Sequence, residues 1–144
     1  MITEDYVSFE TAKLLKEKGF DGLCYKVWET HGGSPSLMGA AQFVEGETVV
    51  DRESVDAAAK LLIYEYLLLN KVEGYLAPTL QMAMKWLREV HKMFIQVELY
   101  SKYENYCFEL FQNTHRLMLE HREVYSTYEE ACEAAIKYCL ENLI

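Results

Sequence analysis

The spacing of apolar residues along this chain predicts alternating helices and strands. Over residues 9–18 the apolar positions recur every three or four residues, between Ser8 and Gly19. Because serine caps the start of helices and glycine often follows their end, these two residues bound a first helix. Residues 24–29 and 37–44 then favour strands, and the stretch between them is predicted as a loop because it holds two glycines and a proline.

The middle of the chain predicts two helices separated by a break. Ser54 can cap the first of them, which is predicted over residues 54–69. The apolar residues of this helix cover more of its surface than the one stripe that would face a core. Residues 70–74 include asparagine and glycine and are predicted to end this helix. The second helix begins near Pro78, a residue that suits the start of a helix because an N–H there has no helical partner. Its apolar face consists of Leu80, Ala83, Met84, Leu87 and Val90.

The C-terminal part predicts strands followed by a final helix. Apolar and polar residues alternate over residues 94–100, and residues 106–112 are predicted to pair back as a β-hairpin. A third strand is predicted over residues 116–124. Ser126 and Glu129 have the spacing of a capping box, in which the two side chains satisfy N–H groups at the start of a helix. The apolar face of this final helix consists of Tyr128, Ala131, Cys132, Ala135, Ile136, Cys139, Leu140 and Leu143.

The order helix, strand, strand, helix occurs twice in this prediction. Residues 13–17 resemble residues 85–89, at an offset of 72 residues. We therefore predict an α+β fold in which antiparallel β-hairpins pack with about four helices, in a single domain of residues 1–144. An internal duplication of the helix–strand–strand–helix unit is a further hypothesis, with pseudo-repeats at residues 8–69 and 79–143.

The composition is that of a globular protein with an excess of acidic residues. The 144 residues are 51% hydrophobic and 26% charged, and the formal net charge is −9. Both halves share the excess, with 11 acids against 6 bases in residues 1–60 and 12 against 8 in residues 61–144. Because binding to nucleic acid or to an anionic membrane needs a basic surface, we expect neither.

Cysteine spacing and the N-terminal residues predict a cytoplasmic protein with reduced thiols. The four cysteines show no CxxC spacing, and residues 1–5 lack the basic and apolar regions of a secretory signal. The most apolar run, residues 61–69, is too short to cross a bilayer and contains Glu65. We therefore expect no membrane segment.

Three stretches of the chain resemble a known group of proteins. They are residues 77–91 (APTLQMAMKWLREVH), 4–9 (EDYVSF) and 128–143 (YEEACEAAIKYCLENL). Together they are similar to small proteins of unknown function in Bacteroides genomes, usually regarded as phage or prophage products. A fainter similarity, in the order of elements, is to the phage ABA-sandwich domains. The resemblance implies a phage-related origin but no functional residue, because the family has no assigned activity.

No motif for catalysis, metal binding or cofactor binding is recognisable in the sequence. The four histidines lack the i, i+4 spacing of ligands on a helix. Cys132 and Cys139 are two helical turns apart, about 10 Å, which is too far for a disulfide. The glycine-containing loop at residues 32–36 lacks the lysine of a phosphate-binding loop. We therefore predict no catalytic, metal-binding or cofactor-binding residue and a protein that is not an enzyme.

Eleven tyrosines and the apolar helix predicted over residues 54–69 indicate a protein–protein interface. Tyr64, Leu67 and Leu68 lie away from the main apolar stripe of that helix, so they need cover from another surface. With Tyr75 they form the candidate interface, and we expect a homodimer that buries at least about 1,000 Å² there. The alternative is that these side chains form the margin of the protein's own core.

These patterns favour a non-enzymatic accessory or protein-interaction module of phage or mobile-element origin. Its expected partners are a second copy of the chain, a host protein or a phage protein. Two alternatives stay open: an acidic inhibitor that imitates nucleic acid and blocks a host nuclease or regulator, and a small enzyme. The inhibitor requires carboxylates along one exposed face, whereas the enzyme requires histidines, cysteines and acids that converge in one pocket.

Overall fold

The computed structural model describes residues 2–22, 24, 26–30, 34–39, 73–100, 104–120 and 122–144. These residues form three helices and two antiparallel sheets of three strands each, which confirms the predicted α+β class. The chain divides into two compact units, residues 8–78 and residues 1–7 with 79–144, and each is described by itself.

The first helix, α1 (Phe9–Glu17), begins where the sequence predicts it. The Ser8 hydroxyl accepts a hydrogen bond from the Thr11 N–H at 3.2 Å, which satisfies a donor that has no partner within the helix. Gly19 follows the end of the helix at a φ of +82°, a left-handed conformation that glycine adopts without strain. The buried side chains of this helix are those of Thr11, Ala12 and Leu15.

Residues 8–78 also hold the first sheet, in the order β2–β1–β3. Its strands are β1 (Lys26–Thr30), β2 (Pro35–Gly39) and β3 (Glu73–Leu76). The first two form the predicted hairpin, but β2 begins at Pro35, inside the predicted loop. Strand β3 was not predicted; its first two residues fall in the stretch 70–74 that is predicted to end the preceding helix. Gly74 pairs with Glu29 of β1, so backbone pairing overrides the low strand propensity of glycine there.

Aromatic contacts hold α1 against this sheet. The Phe9 ring lies 6.2 Å from the Trp28 ring and 5.5 Å from the Tyr75 ring, both edge to face. Trp28 and Tyr75 are direct neighbours across β1 and β3, so they present one face of the sheet to the helix. The Lys16 ammonium lies 4.8 Å from the centre of the Tyr75 ring and adds a cation–π contact.

The second unit begins with a short pairing between its two chain segments. Tyr6 forms an isolated antiparallel bridge with Thr79, and the Leu80 N–H donates to the Asp5 carbonyl at 2.9 Å. Helix α2 (Leu80–His91) follows, capped by the Thr79 hydroxyl, which accepts from the Met82 N–H at 3.2 Å. The predicted helix after Pro78 is therefore present.

The second sheet has the strand order β4–β5–β6. Its strands are β4 (Met93–Leu99), β5 (Tyr106–Gln112) and β6 (His115–Arg116). The predicted hairpin of residues 94–100 and 106–112 is confirmed. The third strand predicted over 116–124 was wrong beyond Arg116, because Glu120, Arg122 and Glu123 are exposed and provide no apolar face that could pack on the core.

The final helix, α3 (Tyr128–Asn142), buries most of the predicted apolar face, but Tyr128 at its start is 38% exposed and Leu143 follows its last residue. Its cap is one residue later than the capping box predicted from Ser126 and Glu129. The Thr127 hydroxyl accepts from the Glu130 N–H at 3.1 Å, and the Glu130 carboxylate accepts from the Ser126 N–H at 3.1 Å. The fully buried residues of this helix are Ala131, Cys132, Ala135, Ile136, Cys139 and Leu140.

The core of the second unit lies between the two helices and one face of the sheet. Met93 of β4 and Leu110 of β5 are fully buried on that face. From the helices, Leu87, Ile136 and Leu140 fill the remaining space and are equally inaccessible to solvent.

Two predictions about the whole chain stay predictions. The helix predicted over 54–69 lies outside the described residues, so the count of about four helices is not confirmed. The two sheets differ in their central strand. In β2–β1–β3 the centre is β1, the first strand of its unit along the chain, whereas in β4–β5–β6 the centre is β5, the second strand of its unit. The topology therefore does not confirm the duplication of residues 8–69 and 79–143, nor does it test the single domain of residues 1–144.

The close contact of α3 with the sheet gives a direct stability test. Ala135 is fully buried, so Ala135→Glu places a carboxylate where it has neither water nor a partner. We expect this variant to lose several kcal/mol, about 3 or more, and to fail to fold. Ala134→Glu on the same helix is the matched control, because Ala134 is half-buried and should tolerate the charge at a cost of about 1 kcal/mol or less. Equal urea midpoints for the two variants would contradict the packing described here.

Candidate functional site

A cleft of about 690 Å³ lies beside α3 in the second unit. One wall is the outer side of α3, and the other is the connecting segment (residues 117–120 and 122–125) between β6 and that helix. Phe108 of β5 contributes to the lining between them. The remaining described lining residues are Met118, Leu119, Glu120, Arg122, Glu123, Tyr125, Ala134, Lys137, Tyr138, Glu141 and Asn142.

The connecting segment is fastened to β5 at both ends. Near its start, the Leu117 N–H donates to the Leu110 carbonyl at 2.8 Å. At its other end, Tyr125 and Tyr106 exchange backbone hydrogen bonds of 2.7 and 2.8 Å. Between these points the side chains of Met118 and Glu120 are exposed to solvent. The segment therefore forms a wall with fixed ends beside the sheet.

Arg122 binds this segment to the sheet through two carboxylates. Its Nη2 atom lies 2.8 Å from Glu98 Oε1 and 2.9 Å from Glu109 Oε1. Arg116 Nη2 approaches the same Glu109 oxygen at 2.6 Å. The Glu109 side chain is only 17% exposed, and a carboxylate with so little water needs positive partners. The guanidinium of Arg122 also lies 5.4 Å from the centre of the Tyr100 ring.

The α3 wall comes from residues at helical spacing on a stripe separate from the buried one. Ala134, Lys137, Tyr138 and Glu141 recur every three or four positions and are half-buried or exposed. Lys137 Nζ lies 4.0 Å from Glu141 Oε1, one turn further along the helix. Because the small residues of α3 face the sheet, this second stripe is left on the cleft side.

Aromatic rings give the cleft an apolar surface. The Phe108 and Tyr125 rings are stacked, with centres 6.0 Å apart and planes inclined by 25°. The Tyr125 hydroxyl donates to Glu123 Oε2 at 3.0 Å. Burial, reinforced by that carboxylate, raises the pKa of Tyr125 to about 12. Tyr125 is therefore a neutral hydrogen-bond donor at physiological pH.

The cysteines of the second unit are unsuited to nucleophilic catalysis. Burial raises the pKa of the Cys132 thiol to about 11 and that of Cys139 to about 12. Burial also raises the pKa of Cys107, whose sulfur lies 3.8 Å from Glu98 Oε1. All three are protonated near neutral pH, whereas the thiolate is the reactive form.

Histidines and acids do not assemble a metal site in the described part of the chain. His91 packs against Trp86, with ring centres 4.6 Å apart, and His115 is exposed in β6. His31 and His121 lie outside the described residues. No group of three or more histidine, cysteine or acidic side chains with the geometry of a metal site is found among the described residues.

A second, smaller pocket of about 210 Å³ lies where α2 and α3 begin. Glu4, Asp5 and Glu129 line it, together with Thr79, the cap of α2. Both helix starts already have threonine caps from the chain itself. We therefore assign no ligand to this pocket.

The structure describes only Tyr75 of the candidate interface predicted from the sequence, so that interface stays a prediction. Tyr64, Leu67 and Leu68 lie outside the described residues. Tyr75 is only 9% exposed and packs against Phe9, so it offers little surface to another protein. The cleft residues were not predicted as a site, although the helical spacing of Ala134, Tyr138 and Glu141 marks the surface that α3 leaves outside the core.

Comparisons with known proteins give no relative from which a function could be transferred. No protein-family model, curated protein or solved structure matches this chain. In the described part of the chain, no helix combines the length and apolar character needed to cross a bilayer. The functional argument therefore depends on the geometry of the cleft.

Arg122 should stabilise the second unit more than an ordinary surface cation does. Arg122→Ala removes both of its ion pairs, and we expect a loss of about 1 to 2 kcal/mol in the free energy of unfolding. Lys85→Ala is the control, because Lys85 pairs with Glu89 at 3.9 Å on an exposed helix surface. Its loss should stay below about 0.5 kcal/mol. Urea denaturation measures both, and equal losses would show that Arg122 does not fasten the connecting segment.

The buried thiols should make the protein less stable at alkaline pH. Cysteines of the unfolded chain titrate near 9.0, whereas Cys139 titrates at about 12 in the fold. Between these values the folded protein retains the thiol proton and the unfolded chain releases it, so rising pH favours unfolding. Between these two pKa values such a thiol lowers the free energy of unfolding by about 1.4 kcal/mol per pH unit. Urea denaturation measures the free energy of unfolding at each pH above 9, and this free energy should fall less steeply with pH for Cys139→Ala than for the unaltered chain. Identical slopes for the two proteins would exclude this contribution of Cys139.

Proposed function

We propose that this protein is a non-enzymatic protein-interaction module of phage or mobile-element origin that acts in the cytoplasm. In this proposal the cleft beside α3 holds an apolar segment of a host or phage protein. The observation that carries the proposal is a cleft at the surface of the unit in which apolar and aromatic side chains make up half of the described lining residues and charged or polar side chains the other half. The phage-related origin is supported only by the resemblance of residues 4–9, 77–91 and 128–143 to phage-related proteins.

The apolar side chains of the cleft favour contact with another protein. Met118 is 87% exposed on the connecting segment, and its flexible thioether can adapt to different apolar surfaces. Phe108, Tyr125 and Tyr138 offer ring surface deeper in the cleft. Tyrosine and methionine are enriched at the centres of protein interfaces, where they bury area without an unpaired charge.

The charges of the cleft favour a partner segment that is itself basic. Arg122 and Lys137 are already paired with glutamates of this chain. Glu120 is exposed at the edge of the cleft, and Glu123 is occupied only by the Tyr125 hydroxyl among its described contacts. Carboxylates placed in this way attract basic residues beside the apolar part of a partner.

The geometry gives less support to the two alternatives. A nucleic-acid mimic needs a row of uncompensated carboxylates, but Glu98 and Glu109 are paired with Arg122. A small enzyme needs an activated group in the cleft, and none of its described lining residues is a cysteine or a histidine. The homodimer expected through Tyr64, Leu67 and Leu68 stays a separate prediction, because that helix is outside the described residues.

Affinity capture with paired variants tests the proposal. The tagged protein is used to isolate partners from the cells in which it is naturally made. Met118→Glu places a charge in the apolar part of the cleft and should reduce capture of the partner at least about tenfold, which corresponds to about 1.4 kcal/mol. Val90→Glu makes the same change in charge at another exposed apolar residue, on α2, and should leave capture unchanged. Equal capture by both variants would show that the cleft is not the binding surface.

A further inference from the structure

Strand β4 is an edge strand whose second side is unpaired. It pairs along its whole length with β5, from Met93 opposite Gln112 to Leu99 opposite Tyr106. Among the residues that the structure describes, no other segment pairs with β4. An edge strand of seven residues offers a row of backbone donors and acceptors to another strand.

The hydrogen bonds at the two ends of the hairpin show which backbone groups point outward. The Tyr100 N–H donates to the Asn105 carbonyl at 2.7 Å, and the Asn113 N–H donates to the Lys92 carbonyl at 3.3 Å. On the β4 side, both of these hydrogen bonds use an even-numbered residue, Tyr100 or Lys92. Along an antiparallel strand, the backbone N–H and C=O groups of successive residues point alternately to one neighbouring strand and to the other. The backbone groups of the odd-numbered residues therefore point away from β5. They belong to Met93, Ile95, Val97 and Leu99.

The outward groups of Ile95, Val97 and Leu99 have no hydrogen-bond partner in the described part of the chain, whereas Met93 is fully buried and does not belong to the accessible edge. The side chains near this edge are also incompletely covered, since Leu99 is 61% exposed and Phe94 is 41% exposed. Ile95 and Val97 are only half-buried, although they lie on the face that the helices cover. The edge therefore combines unsatisfied backbone groups with accessible apolar area.

β4 lacks the features that keep an edge strand from pairing with copies of itself. Such edges are usually interrupted by proline, by a bulge or by lysine. β4 contains no proline and no lysine, and its register with β5 is continuous. Its one charged residue, Glu98, is paired with Arg122 on the sheet surface.

We propose that two copies of this chain pair antiparallel along β4 and join their sheets into one continuous six-stranded sheet, around a two-fold axis at Gln96. This register pairs Ile95 of each copy with Val97 of the other, so the outward N–H and C=O groups of these accessible residues gain partners. The dimer uses a surface other than the cleft and other than the helix predicted over residues 54–69. Its failure would therefore leave the proposed function of the cleft untouched.

In this register, the side chains of β4 are compatible with those of an antiparallel second copy of β4. On the helix-covered face, Ile95 lies opposite Val97 of the second copy, and Met93 lies opposite Leu99. On the other face, Gln96 lies opposite the same residue, where two amides can exchange hydrogen bonds. Phe94 lies opposite Glu98 of the second copy, so no like charges meet. A shift of the axis to Glu98 would place two carboxylates opposite each other and is disfavoured.

Solution mass is the first test of this dimer. Light scattering at micromolar concentration should give twice the 16.8 kDa of a single chain. Val97→Pro removes an outward N–H that the β4–β5 ladder does not use, and Gln96→Lys places two ammonium groups opposite each other at the axis. Both variants should give the mass of one chain, with an unchanged far-ultraviolet circular dichroism spectrum. If Val97→Pro fails to fold, Gln96→Lys decides the question, because Gln96 is exposed in the single chain.

A designed disulfide tests the register. Across the two-fold axis, Gln96 of one copy lies opposite Gln96 of the other, and the two residues form no backbone hydrogen bonds with each other. The Cα atoms of such a pair lie about 4.5 Å apart, a distance at which a disulfide can form. Gln96→Cys should therefore give a covalent dimer on mild oxidation. Phe94→Cys is the matched control. The two Phe94 positions of the dimer are separated by four residues along the strand, about 13 Å, so this variant should stay uncrosslinked.

Two outcomes would overturn the proposal. One is the mass of a single chain for the unaltered protein up to about 100 μM, which leaves the edge to a strand of another protein. The other is a dimer that persists unchanged in both Val97→Pro and Gln96→Lys, which assigns the interface to a different surface. Equal crosslinking of Gln96→Cys and Phe94→Cys would reject the register at Gln96.

Discussion

The second unit depends on how closely α3 can approach its sheet. Ala131, Cys132 and Ala135 are fully buried and small, so the helix packs with little space between its backbone and the strands. This packing fixes the rotation of the helix, because the residues opposite the small ones must face solvent. Tyr138 and Glu141 therefore line the cleft. The surface that we assign to binding is thus a consequence of the core.

Arg122 holds the middle of the connecting segment, whose two ends are fixed by backbone hydrogen bonds to β5. The segment leaves the sheet after Arg116, and its middle exposes Glu120, Arg122 and Glu123, without the apolar contact that Tyr125 makes with Phe108 at its end. The guanidinium of Arg122 meets Glu98 and Glu109, which belong to different strands of the sheet. Glu109 is largely shielded from water, so the pairing is stronger than a typical surface ion pair. The shape of the cleft therefore depends on electrostatic contacts on the other face of the sheet.

The elements that could be predicted from the sequence are those set by local rules. The helix after Pro78, the hairpin of residues 94–112 and the apolar face of α3 follow from periodicity and turn residues. β3 was missed because Gly74 has a low strand propensity, and only its pairing with Glu29 of a distant strand makes it a strand. The cleft was missed for a similar reason. Arg122, Glu98 and Glu109 have no short spacing in sequence, so only the fold brings them together.

The two proposed binding surfaces lie on opposite sides of the same strand. β4 and the connecting segment both flank β5, one on each side, because Leu99 and Tyr125 both pair with Tyr106. A second copy at the β4 edge would therefore leave the cleft of each copy accessible. A dimer with two identical clefts gains apparent affinity for a repeated partner without any new contact, since the second binding event is intramolecular. If the cleft binds as we propose, the proposed pairing through β4 would strengthen that binding without any change in the cleft itself.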